Sequence, residues 1–159
     1  MARPDSPDVI YLDSNTLCRF IIGDHVETVG RVIEAIDAGQ AELIVLPLLL
    51  VECRGQPREG PVDEDLEQRM IGILDNPRHT PVEFTRAVAL KARELALRHG
   101  MRNYDAIHLA HAITAGADVL MTVDQGFPLE SAVEGVWVCA PYFWGEPSLF
   151  DDEGEGAKQ

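Results

Sequence analysis

Short apolar, strand-forming runs recur along this chain, and the two clearest each lead straight into an aspartate. VIYL at 9–12 is followed by Asp13, and DVLMTV at 118–123 is followed by Asp124. Near-continuous apolar runs of this length are what strands need when both faces of their sheet are covered, whereas a sheet with one wet face would alternate. Between the runs the spacing turns helical. Ser14, Asn15 and Thr16 offer caps for a helix carrying Leu17, Phe20 and Ile21. Asp24 is expected to cap the next, in which Val26, Val29, Ile33 and Ile36 recur and which Gly39 closes. ELIVL at 42–46 is the next strand. Pro47 suits the first turn of a helix, so LLLVECR turns from strand into helix and sets Glu52 one turn in.

The segment at 54–65, RGQPREGPVDED, reads as a connector. Leu66, Met70, Ile73 and Leu74 mark a helix stopped at Asn76-Pro77, and Thr80 to Phe84 is a candidate short strand. A helix then runs from about Thr85 to His99, ended by Gly100; Asn103 is the expected cap of YDAIHLAHAITAG, closed by Gly116. After DVLMTV comes a short helical stretch, then a weaker strand near Val136 to Val138. Strands alternating with helices specify the α/β class, a doubly wound, mainly parallel sheet with helices on both faces. With 159 residues the chain suits a single domain. The expected division is a short N-terminal extension at 1–8, the domain at 9–144, and an acidic, disordered tail at 145–159 where periodicity is lost.

Charge narrows the function. Thirteen basic residues against twenty-seven acidic ones give a net −14, so the basic face of an ordinary nucleic-acid binder is missing. A nucleic-acid enzyme remains open to such a chain if its acids recruit divalent cations. Cys18, Cys53 and Cys139 form no CxxC pair and read as free thiols rather than disulfide or zinc ligands. MARPDSPD has no apolar segment and is not expected to be a signal peptide. The apolar run at 43–51 is too short to cross a bilayer and is broken by Pro47. The expectation is a cytoplasmic protein with no membrane partner.

In an open parallel sheet, ligands bind beyond the carboxyl ends of the strands. Asp13 and Asp124 follow strands directly, Glu52 follows one by a helical turn, and Asp105 opens a helix whose start can face the same edge. Each has an ordinary alternative: Asp13 an N-cap, Asp105 a charge at a helix's positive end, Asp124 a turn residue before Gly126, Glu52 a solvated helix face. What sets them apart is the shared edge. Carboxylates packed together repel unless a divalent cation offsets their charge, and oxygen-only donors favour Mg²⁺ or Mn²⁺.

Four stretches carry a family resemblance: YLDSNTLCRFI at 11–21, LLLVEC at 48–53, NYDAIHLAHA at 103–112 and LMTVDQGF at 120–127. Together, and in this order, they resemble the motifs of PIN-domain ribonucleases, especially VapC-type toxins of toxin–antitoxin pairs. The resemblance spans about residues 9 to 139. It implies that Asp13, Glu52, Asp105 and Asp124 are a catalytic, metal-binding quartet, supported by Asn15 and Thr122. It also implies one or two Mg²⁺ or Mn²⁺ ions, an RNA substrate, a small VapB-like antitoxin partner and a homodimer. The alternative is a catalytically idle PIN-like scaffold that binds RNA or a protein partner.

Other readings fit less well. A haloacid-dehalogenase-type phosphatase needs a second aspartate where this chain has Asn15, and a phosphoacceptor receiver domain needs a lysine better placed than Lys91 or Lys158. His108 and His111, three apart on the Asp105 helix, are read as packing beside the sheet. Arg19, Arg54, Arg58 and Arg102 are read as surface residues, and Tyr142, Phe143, Trp137 and Trp144 as core packing or a dimer face.

Overall fold

The computed structural model describes residues 1–55 and 60–146. The expected tail therefore lies, from residue 147 on, outside the described residues, as does Arg58. The elements are β1 (Val9–Leu12), α1 (Ser14–Ile21), α2 (Val26–Asp37), β2 (Glu42–Val45), α3 (Pro47–Glu52), α4 (Glu64–Leu74), β3 (Thr80–Pro81), α5 (Arg86–His99), α6 (Asn103–Thr114), β4 (Val119–Met121), β5 (Ser131–Val133) and β6 (Val136–Cys139).

The strands form one sheet in the order β3-β2-β1-β4-β6-β5. All neighbours are parallel except β5 and β6. Ile10, Tyr11 and Leu12 are consecutive, point alternately to opposite faces, and are all fully buried. Both faces of β1 are therefore covered, which is why its sequence is wholly apolar. Leu43 to Val45 and Val119 to Met121 repeat the pattern on either side. The amphipathic helices supply the cover: α1 buries Leu17 and Ile21, α2 Val29, Val32 and Ile36, and α5 Val88, Ala92 and Leu95. Helix α6 is buried on more sides, and Asp105, His108 and His111 go inside with it.

The chain enters the sheet at β1, adds β2 to one side and later adds β4 to the other. That makes the carboxyl ends of β1 and β4 the topological switch point, where such sheets open a crevice.

Four expectations about the elements need correction, the first being the cap of α1, which is Asp13, with Ser14, Asn15 and Thr16 already inside the helix. The segment before β6 is the strand β5, not a helical stretch. It pairs antiparallel with β6, Val133 opposite Val136, leaving Glu134 and Gly135 as a two-residue turn with φ of 47° and 94°. Positive φ at both positions matches the twist of a hairpin, and Lys91 and Arg98 of α5 hold Glu134 in place. The cap of α2 is His25, in a left-handed conformation and with no side-chain cap bond, rather than Asp24. Asn103 is the first residue of α6, not its cap; Arg102 holds that position and sends its side chain elsewhere.

The first residues lie against the end of the described chain. The Tyr142 hydroxyl donates to the Pro4 carbonyl, the Trp144 indole to Pro7, and the Arg3 guanidinium stacks 4.1 Å over the Tyr142 ring. Phe143 stays partly exposed. Among the described residues no helix is long and apolar enough to cross a membrane.

Candidate metal centre

An opening of about 360 Å³ at the switch point is lined by Asp13, Asn15, Glu52, Asp105 and Asp124, together with Arg102 and His108. The structure thus brings all four acids picked from the sequence to one edge, and Asn15 with them. Thr122 lies fully buried behind them.

Asp13 stands where β1 ends and α1 begins. Its Oδ1 accepts the Thr16 backbone N–H at 2.9 Å, which caps the helix, and its Oδ2 accepts the Thr122 hydroxyl at 2.9 Å. Asp13 is only 1% exposed, and burial raises its pKa above the usual carboxylate range against the pull of those hydrogen bonds. Asp13 thus fills the N-cap role and at the same time lines the opening. Thr122 Oγ1 also accepts the Asp124 N–H at 3.0 Å, so one hydroxyl ties the ends of β1 and β4 together.

Asp124 has its Oδ1 on the Gly126 N–H at 2.8 Å, and its Oδ2 receives the Asn15 amide at 3.1 Å and an Arg102 Nη2–H at 2.5 Å. The Gly126 bond first, and Arg102 with it, holds the Asp124 carboxyl below its ordinary value. Asp105, in the first turn of α6, is 7% exposed and pairs with Arg102 Nε at 2.8 Å. A side chain at Gly126 would place a Cβ 2.7 Å from Asp105 Oδ2 and 3.1 Å from Asp124 Oδ1, so the missing side chain keeps this corner open.

Glu52 ends α3. Its Oε2 meets His108 Nε2 at 2.7 Å, while His108 Nδ1 meets the Tyr11 hydroxyl at 2.6 Å. A carboxylate only accepts, so Nε2 carries a proton. Burial and the neighbouring acids push the Tyr11 pKa well up, which keeps the phenol protonated beside Nδ1. Burial also works against ionisation of Glu52, but the His108 contact and a Ser14 hydrogen bond outweigh it and hold the carboxyl below its usual value.

His108 is therefore not mere packing, and Arg102 is not a free surface residue; both touch the acids. The i, i+3 spacing of Arg102 and Asp105 was a local signal for the second. Tyr11 and His108 are 97 residues apart and left no such signal. His111 does pack inside, 0% exposed and beside Phe84, with both ring nitrogens unpaired.

The four carboxylates line the opening without closing on one point. Among the described residues, no three acidic, histidine or thiol groups are gathered closely enough to hold an ion as they stand. The donor set nonetheless suits a hard divalent cation, being carboxylate oxygen throughout. A cation already bridges two of its members in the form of the Arg102 guanidinium.

The PIN domain family matches residues 10–129. Solved structures with the same fold include VapBC2 from Rickettsia felis bound to a promoter DNA fragment, with 17% identity and a TM-score of 0.59 over 84% of this chain and 98% of that one. A toxin–antitoxin complex from Klebsiella pneumoniae shares 20% identity, again at 0.59 over 84% and 98%. DNA-bound VapBC from Salmonella typhimurium shares 18%, at 0.59 over 81% and 95%. No curated protein sequence matches the chain.

Proposed function

The chain belongs to the PIN domain family, whose members are generally nucleases, and on that premise we propose that it is a divalent-cation-dependent endoribonuclease, the toxin of a toxin–antitoxin pair. The observation that carries this reading is the convergence of Asp13, Glu52, Asp105 and Asp124 on one opening at the switch point. These four would hold one or two Mg²⁺ or Mn²⁺ ions. Such an ion, when bound, supplies an activated water and offsets charge developing on a phosphodiester.

The chain's own residues do the positioning. Thr122 fixes Asp13, Asn15 and the Gly126 N–H fix Asp124, and the Tyr11–His108 pair fixes Glu52. With so acidic a surface, the ions carry much of the recruitment of phosphate. The nuclease unit is assigned to 9–144, with 1–8 as a short extension.

The similar solved structures are two VapBC complexes and a toxin–antitoxin complex, which supports a small VapB-like antitoxin as partner here. Net −14 suits a basic partner. A homodimer in the cytoplasm completes the proposed assembly.

The test is cleavage of a total cellular RNA pool by purified, antitoxin-free protein with Mg²⁺ or Mn²⁺, and with EDTA. Cutting that EDTA abolishes is expected. A folded, metal-bound protein that leaves every RNA intact would replace this reading with that of an idle scaffold.

A further inference from the structure

Arg102 sits at the rim of the opening with its side chain 67% exposed, yet two of its guanidinium nitrogens are held by carboxylates below. Nε pairs with Asp105 Oδ2 at 2.8 Å and Nη2 with Asp124 Oδ2 at 2.5 Å. The residue spans two carboxylates from different elements, one on α6 and one beyond β4. The corner they share is kept clear by Gly126, whose missing Cβ would meet both acids and lie 3.4 Å from Nη2. Three features follow from chemistry alone. Two carboxylates this near each other need a counter-cation, and in the metal-free protein Arg102 is that cation. The oxygens it occupies belong to two of the four acids that would hold a divalent ion. A planar guanidinium matches phosphate as well as carboxylate, so a released Arg102 is suited to the substrate's backbone.

We propose that Arg102 serves two partners in turn: it bridges Asp105 and Asp124 while no metal is bound, gives them up to a divalent cation, and then engages a phosphate of the RNA at the rim. This rests on the nuclease reading above and adds to it a competition within the chain itself. The exposed arginine side chain is free to swing outward without disturbing the core. In a molecule this short of basic residues, an arginine placed at the opening matters more than it would elsewhere.

The experiment is a calorimetric Mn²⁺ titration of the wild type, Arg102→Gln and Asp105→Asn, with metal-free melting curves and RNA cleavage kinetics at saturating Mn²⁺. Removing the competitor should tighten Mn²⁺ binding by Arg102→Gln several-fold, lower its metal-free melting temperature, and raise its KM for RNA. A merely structural arginine would predict the opposite for metal, since loosened acids bind more weakly. Unchanged or weaker Mn²⁺ binding by folded Arg102→Gln overturns the competition, and an unchanged KM overturns the phosphate contact. If Asp105→Asn binds Mn²⁺ as the wild type does, the metal centre itself is wrong and the proposal falls with it. Loss of binding in Asp105→Asn alone isolates any failure to Arg102.

Discussion

Glu52 is the last residue of α3, and its carboxylate takes its direction from His108, whose other ring nitrogen is held by a fully buried tyrosine. His108→Gln keeps bulk and a donor but cannot span both neighbours. Loss of such a supporting partner typically costs about 10–100-fold in activity or metal affinity, so kcat should fall by that order while KM for RNA holds. An unchanged kcat would make the Tyr11–His108 pair plain core. His111, one turn on, is a different case. Burial pushes its pKa down to about 4, against 6.5 when free. Below pH 6.5 the unfolded chain binds the proton and the native one does not, so stability falls as pH drops and levels off near pH 4. Relative to wild type, His111→Leu should gain about 2 kcal/mol between pH 6.5 and 5, read from denaturant melts. The acids themselves were legible in the sequence because each follows a strand or opens a helix. Of their supports, Asn15 and Thr122 came with the family resemblance, but two others did not: Arg102 reaches Asp124 across 22 residues and His108 reaches Glu52 across 56, distances that only the folded sheet closes.

At the scale of elements, the β1–α1 junction does two jobs with one side chain. Asp13 caps α1 and faces the opening, and the two roles can be separated. Asp13→Asn retains the acceptor for the Thr16 N–H and sheds a charge that burial penalises, so it should melt close to wild type while cutting no RNA. Asp13→Ala loses the cap and strands the Thr122 hydroxyl, costing about 1–3 kcal/mol. If Asp13→Asn were as unstable as Asp13→Ala, the charge itself would be structural. The parallel core could be read from sequence because burial on both faces writes itself as continuous apolar runs. The β5–β6 hairpin could not, since β5 is three residues long and partly exposed. Its turn is Glu134-Gly135, in which a glutamate takes a left-handed conformation that favours glycine or asparagine. Contacts from Lys91 and Arg98 on α5 sustain it, and those contacts are tertiary.

Across the whole molecule, the sheet order puts β1 and β4 side by side, so acids more than a hundred residues apart share one crevice. A surface with twice as many acids as bases offers RNA little, and the opening is where a phosphate can be attracted once cations neutralise it. The proposed function therefore has the four carboxylates acting as one unit. The most direct measurement is Mn²⁺-dependent RNA cleavage by the four single variants Asp13→Asn, Glu52→Gln, Asp105→Asn and Asp124→Asn, each first shown to be folded by its melting curve. The expected result is loss of cutting in every one, with no gain in damage when two are combined, as befits residues that act together. A folded variant that still cuts at the wild-type rate would remove its residue from the site, and cutting by all four would contradict the account at its centre.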